Sequence, residues 1–364
     1  MANNAKYNAL DRHLHHVLKT TVNIDEELRR QMSINLHTLL KKLITRMKRQ
    51  NSIFRSLYQK VIYVGSYYEN LRIKEPDEFD LNLELHLPVD KLHVQIEQSR
   101  KAGFGRIKIL PFNSRTRSNE YILKWVDEHG FLLRERLLQW VQSVVDKALH
   151  SFDVPGCEVA GRSRSGPAIT LTVRNNLINK EYSVDLVPVI SFSGDVWPAP
   201  PVRQPEEEMC DTWFMVPKAP MGYKNRHLWR MSFTLQEKAI IHHQQAMKPV
   251  IRLMKLLRDV QKWKSLSSYF VKTVFLWENQ HRKDPQLWQK GLGQVFMHML
   301  KTMQKQLNRK SIPFYWDERF DLTNTMTVKE KVNMCARIRC IIHKIDDSLT
   351  KDSSHILHYF DVCY

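Results

Sequence analysis

Cysteine is sparse. The chain has five in 364 residues, at positions 157, 210, 335, 340 and 363. The number is odd, the positions are scattered and no Cys-x-x-Cys pair occurs. This fits reduced thiols in the cytosol or nucleus better than a disulfide framework. Only 11 glycines and 15 prolines are present, which rules out a fibrous or broadly low-complexity chain. No apolar run approaches the roughly 20 residues that span a bilayer. The first residues, MANNAKYNALDRHLHHVLK, lack the apolar core of a secretory signal. The expectation is a cytoplasmic chain with no membrane partner. Acid is also in short supply: 38 Asp and Glu face 56 Lys and Arg, for a net charge of +18. That excess favours a polyanionic partner over a merely solvated basic surface.

The chain is long enough for two domains, and its two halves read differently. Residues 7 to 60 read as long helix, with Leu14, Val17, Leu18, Ile34, Leu36, Leu39, Leu40, Leu43 and Ile44 at helical spacing. Asn23 is a candidate cap before Asp25, Glu26 and Glu27. VIYVGS is a short strand running into a turn. FDLNLELHL alternates, placing Phe79, Leu81, Leu83, Leu85 and Leu87 on one face and Asp80, Asn82, Glu84 and His86 on the other. The stretch EYILKWVDEHGFLLRERLLQWVQSVVDKAL reads as helix, and CEVAGRSRSGPAITLTVRN and KEYSVDLVPVISF as strands. From about residue 206 the strand signals fade into amphipathic helices rich in Trp and Met. The expected fold is α+β: a mixed-sheet lobe with a long N-terminal spine helix over 1–205, and a helical lobe over 206–364.

One constellation carries chemistry. Glu78 and Asp80 share a face of the alternating strand, about two strand rises apart. Eleven residues separate the preceding Gly65-Ser66 turn from Glu78, and a later apolar strand, YSVDLVPV, contains the single acid Asp185. A lone acid in an apolar strand is costly unless it is paired or ligates metal. Phosphoryl and nucleotidyl transfer uses divalent ions on clustered carboxylates, Mg²⁺ preferring oxygen ligands. Gly65 would let backbone approach phosphate, and Ser66 with backbone N–H groups would hold it. An acid-x-acid triplet alone is a weak signal. The Gly-Ser turn, the spacing and the second acidic strand together point to nucleotidyl transfer.

This arrangement resembles the polymerase-β-like nucleotidyltransferase superfamily. More narrowly, GSYYENLRIKEPDEFDLNLEL, WRMSFTLQEK, IRLMKLL and SSYFVKTVFLW resemble, in order, cyclic GMP–AMP synthase and the animal cGAS-like receptors. The resemblance implies a bilobed fold and a metal triad of Glu78, Asp80 and Asp185 holding Mg²⁺ or Mn²⁺. It implies that Gly65 and Ser66 bind the donor triphosphate, that Lys255 and Ser268 contact phosphate, and that Tyr269 stacks on a base. Arg230, with Ser232 beside it, would read the other base. The implied substrates are ATP and GTP, and the product a cyclic dinucleotide that acts on a STING-type receptor in innate immunity. The chain departs from the vertebrate enzyme where that enzyme carries a zinc loop of one His and three Cys. Here the stretch is HHQQAMKPV, with His242 and His243 but no cysteine, so no structural zinc is expected.

Residues 1–50 hold ten Lys or Arg against four acids, and residues 246–272 seven against one. The expected nucleic-acid face comprises Lys41, Lys42, Arg46, Lys48 and Arg49 with Lys248 and Arg252, and Lys74 would couple duplex binding to the acids. The missing zinc loop favours double-stranded RNA over double-stranded DNA as activator, with a dimer on the duplex implied by the resemblance. Two other readings stand beside this one: a catalytically silent nucleic-acid-binding scaffold, and a transferase that makes linear oligonucleotides.

Overall fold

The computed structural model describes residues 6–73, 75, 77–113, 117–206, 209–222, 225–242, 244–349 and 354–362. Lys74, His243 and Cys363 lie outside them. The chain forms two compact units, each built from separate segments. One comprises Asp25–Glu69 and Pro76–Leu235; the other Met1–Ile24, Asn70–Glu75 and Gln236–Tyr364.

The first unit is a mixed sheet with helices. Its strands are β1 (Tyr58–Val64), β2 (Glu78–Leu85), β3 (Val94–Gln98), β4 (Phe104–Ile109), β5 (Cys157–Ser165), β6 (Ala168–Asn175), β7 (Lys180–Phe192), β8 (Trp213–Val216) and β9 (Trp229–Ser232). They run in the order β1-β2-β7-β8-β9-β4-β3, with β6 on β7 and β5 on β6. Among the described residues only β2 and β7 pair in parallel; the other pairs are antiparallel. The fold is α+β, as the alternation of patterns implied.

The long helix of this unit is α2 (Glu26–Gln50), so the expected 7–60 helix is broken. An earlier helix, α1 (Asn8–Val17), runs into a π-helical turn at Leu18–Val22 and belongs to the second unit. Asp25, not Asn23, caps α2: its carboxylate accepts the Leu28 N–H at 2.8 Å. Along α2, Met32, Leu36, Leu39, Leu43 and Met47 form a buried stripe. Each such buried side chain contributes about 1.5–3 kcal/mol relative to exposure. The stripe packs on α5 (Arg134–Leu149). A short α3 (Ser52–Leu57), capped by Asn51, leads into β1, and one helical turn, α4 (Gly65–Tyr68), follows β1.

Two expectations need correction. Strands do not fade at residue 206: β8 and β9 follow, as four-residue runs whose large residues are mostly buried. The stretch read as one helix from Glu120 is a short helix to Ile122, then a turn with Gly130 at φ +81°, then α5. The polar face of β2 is partly buried, Asn82 and Glu84 being 6% and 4% exposed.

The second unit is mainly helical. The helix α6 (Thr234–His242) opens at its border. Then come α7 (Met247–Val260), α8 (Ser268–His281), α9 (Leu292–Asn308) and α10 (Val328–Ser348), with the small hairpin β10 (Pro313–Phe314) and β11 (Asp317–Asp321). Met247, Val250, Ile251, Met254, Phe275, Phe296 and Met299 fill its core. Thr327 and Glu330 close a capping box at the start of α10. Among the described residues no helix is long and apolar enough to cross a membrane.

Candidate active site

Two strand registers build the acidic cluster. In the parallel β2–β7 pair, Asp80 lies directly opposite Asp185 and Glu78 opposite Ser183. Parity places Glu78 and Asp80 on one face, and the register brings Asp185 to the same face. One carboxylate oxygen from each of Glu78, Asp80 and Asp185 lies within 4.8 Å of the others. Among the described residues this is the one group of three or more acids, histidines or cysteines spaced to hold a metal ion. Three like charges this close repel one another at any dielectric. A divalent cation on hard oxygen ligands removes that repulsion, so the donor set suits Mg²⁺ or Mn²⁺.

Hydrogen bonding and backbone shape aim these acids. In the antiparallel β6–β7 pair Thr170 faces Asp185, and its hydroxyl donates to Asp185 Oδ1 at 2.6 Å. This fixes the orientation of the Asp185 carboxylate. Val64 faces Asp80 across β1–β2, and Gly65 follows with φ +76°. A Cβ on Gly65 would lie 1.9 Å from Asp80 Oδ2. Glycine is therefore required twice, for its backbone angle and for room for the carboxylate. Ser66 sits beside it in α4.

Phe79, between the two β2 acids, points to the opposite face and is fully buried. It meets Tyr67 edge-on at 4.7 Å and Tyr182 at 5.3 Å. The Tyr182 hydroxyl donates to Asn35 Oδ1 at 2.6 Å, and the Arg29 guanidinium stands over Tyr67 at 5.6 Å. The acid-bearing strand is thus wedged onto α2 through aromatic rings. The neighbouring Tyr68 phenol has its pKa pushed far up, first by burial and then by Tyr63, Tyr67, Tyr182 and Asp80, so it stays neutral.

Arg230 and Ser232 lie on β9, with the Arg230 guanidinium over the Phe104 ring at 5.4 Å. The remaining predicted nucleotide residues belong to the second unit. Lys255 is 5% exposed, and its ammonium donates to the Leu71 carbonyl at 2.6 Å. That bond clasps the segment Asn70–Glu75, where Leu71 and Ile73 are also buried. Ser268 accepts from Arg258 Nη1 at 2.5 Å. The Tyr269 hydroxyl donates to Glu237 Oε1 at 2.7 Å, while Lys272 pairs with Glu237 Oε2 at 2.9 Å and Trp316 Nε1 donates to Oε1 at 3.1 Å. Sequence reasoning missed Glu237 and Thr170. WRMSFTLQEK contained the first, and the second alternates with apolar residues in AITLTV, but neither pattern reveals a partner.

The predicted nucleic-acid face is mixed. Lys41 and Arg49 are exposed on α2, and Lys248 is half-buried on α7. Lys48 lies over the Tyr58 ring at 4.4 Å, and Lys42 is 4.0 Å from Asp153. Arg46 donates to the His150 and Ser151 carbonyls at 2.6 and 2.8 Å, capping the end of α5. Arg252 donates to the Val22 carbonyl at 3.1 Å and to Asn23 Oδ1 at 2.7 Å.

Comparison with known proteins agrees with this geometry. Residues 67–243 match the family model of the Mab-21 protein nucleotidyltransferase domain, and residues 246–340 that of the Mab-21 protein HhH/H2TH-like domain. A cyclic GMP-AMP synthase-like receptor of Ctenocephalides felis is 33% identical, over 95% of this chain and 86% of the receptor. One from Tribolium castaneum is 30% identical, over 94% and 91% of the two chains. Cyclic GMP-AMP synthase-like receptor 1 of Drosophila simulans is 28% identical, over 92% and 87%.

Proposed function

The chain belongs to the family of cyclic GMP–AMP synthase-like receptors, with a nucleotidyltransferase domain, and from that premise we propose that it is a nucleic-acid-activated synthase of a cyclic dinucleotide made from ATP and GTP. The observation that carries this reading is the register of Asp80 beside Asp185, completed by Glu78 and cleared by Gly65. Glu78, Asp80 and Asp185 hold Mg²⁺ or Mn²⁺, which when bound neutralises the triphosphate and lowers the pKa of an attacking hydroxyl.

The rest is binding and orientation. Gly65 and Ser66 hold the donor triphosphate, Lys255 and Ser268 contact phosphate, Tyr269 stacks on one base, and Arg230 with Ser232 reads the other. The ribose hydroxyl oxygen of one nucleotide bonds to the α-phosphorus of the next, whose bond to pyrophosphate breaks. A second such transfer closes the ring, giving a messenger for a STING-type receptor in antiviral signalling.

Double-stranded RNA is the activator, read by shape and backbone along α2 and α7. Lys41, Lys42, Lys48, Arg49 and Lys248 supply charge, while Arg46 and Arg252 also brace the fold through the carbonyls they hold. Duplex on α2 reaches the acids through Asn35, Tyr182 and Phe79.

Labelled ATP and GTP with Mg²⁺ or Mn²⁺, without nucleic acid or with long double-stranded RNA or DNA, test the reading. A phosphatase-resistant product with RNA is expected. It disappears in Glu78→Ala/Asp80→Ala, while a gel shift still shows duplex binding. Synthesis retained in that double variant overturns the metal assignment. Binding without product under any condition favours the silent scaffold, and a phosphatase-sensitive product favours the linear transferase.

A further inference from the structure

Further along β2, on the face that carries Glu78 and Asp80, the strand holds a third acid, which the chemistry above does not use. Glu84 is 4% exposed, and its Oε2 accepts no hydrogen bond. Lys60 Nζ stands 3.8 Å from Oε2 and His86 Nε2 3.5 Å from Oε1, both on exposed side chains. An ionised carboxylate this deep is costly without donors. Its register partner on β7 is Val189, so Ser191, two residues on, leans to the same face, and its Oγ is likewise buried with no hydrogen-bond partner. Both residues line one cavity of about 440 Å³, with Leu87, Val94, Ile96 and Phe192 among its walls and Lys91 beside them. Small-ligand sites have this size and this make-up: apolar walls with a few convergent polar atoms.

The chemistry of the cavity narrows its ligand. A buried carboxylate beside a hydroxyl calls for a group with adjacent N–H donors. Apolar walls call for a flat ring. Lys60, and Lys91 in its pair with Asp195, disfavour a cationic ligand and favour an anionic tail. Guanine offers N1–H and the 2-amino group side by side to one carboxylate, as an arginine fork does, and its nucleotides carry phosphate. Adenine presents an acceptor at N1 and no 2-amino group. We propose that this cavity is an accessory guanine-nucleotide site, distinct from the acidic cluster, in which Glu84 takes the N1–H and 2-amino hydrogens and Ser191 a further polar edge of the base.

The test is equilibrium binding of GMP to the full chain in EDTA, where the acidic cluster holds no divalent ion. Saturable GMP binding is expected. AMP and 1-methyl-GMP, which lacks the N1 hydrogen, should bind about tenfold to a hundredfold more weakly, as expected for losing hydrogen bonds to a charged group. Glu84→Gln should weaken GMP to the same degree and leave the residual affinity for AMP unchanged, and Asp185→Asn should leave GMP binding intact. The 1-methyl comparison uses the unaltered protein, so it stands even if Glu84→Gln melts early. Equal binding of GMP and 1-methyl-GMP, no binding of GMP, or binding lost in Asp185→Asn would each overturn the proposal.

Discussion

Replacing Gly65 with alanine separates two roles of one residue. At φ +76° any side chain is strained, at a cost of roughly 1–2 kcal/mol. For a chain of 364 residues, at about 2.1 cal/mol/K of unfolding entropy per residue, that lowers the melting temperature by roughly 1–3 °C. The new methyl would also sit 1.9 Å from Asp80 Oδ2, where ordinary contact begins at 3.4 Å, so the carboxylate must retreat or the turn must open. A displacement on the order of 1 Å in a reacting constellation costs about 10²-fold in rate. Gly166 is the matched control: its φ is +57°, and a methyl added there would meet nothing within 4 Å. Gly166→Ala should melt earlier by a similar amount and keep its activity, whereas Gly65→Ala should lose about 10²-fold of nucleotidyltransferase activity. Calorimetry and a product assay on both variants decide it. Equal activity in the two would refute the claim that Gly65 makes room for Asp80.

Further outcomes follow from other contacts. Thr170→Val removes a hydrogen bond to a charged oxygen worth about 1.5–3 kcal/mol, so the Mg²⁺ concentration for half-maximal rate should rise roughly tenfold or more; a metal titration reads this. Arg252→Ala loses two hydrogen bonds in the second unit and should destabilise the chain by about 1–3 kcal/mol in denaturant, while Lys41→Ala, at an exposed position, should leave the midpoint unmoved. Glu237→Gln leaves Lys272 buried without its charge partner, and the same measurement should show a loss of about 3–5 kcal/mol. An Arg252 or Glu237 variant with an unchanged midpoint would contradict the bracing role given to each.

The acids were legible because strand parity is written in sequence. What parity cannot say is which strands meet. Nothing in EFDL or VDLV states that Asp80 faces Asp185 rather than Leu186, and one residue of slip would turn β7's acid to the other face. The strands β8 and β9 were missed because short runs of large residues, WFMV and WRMS, look alike in helix and strand. The charge count pointed to a basic surface but not to the carbonyls that engage Arg46 and Arg252, which come from segments more than 100 residues away in one case and more than 200 in the other. Glycine at 65 was visible; that it yields to a carboxylate one strand over was not.

The parallel pairing of β2 with β7 also governs when the centre can exist. Asp80 and Asp185 are 105 positions apart in the chain, yet they are direct register partners. During synthesis the first two acids emerge well before the third, and a ribosome must finish the hairpin of β5 and β6 before the last ligand arrives. Such long-range pairings close late. A nascent or prematurely terminated chain ending before β7 therefore carries the Gly-Ser turn, Glu78, Asp80 and the basic helix, but not the third carboxylate of the cluster. Synthesis through β7 is in this sense a condition for the acidic centre to form, imposed by strand order alone.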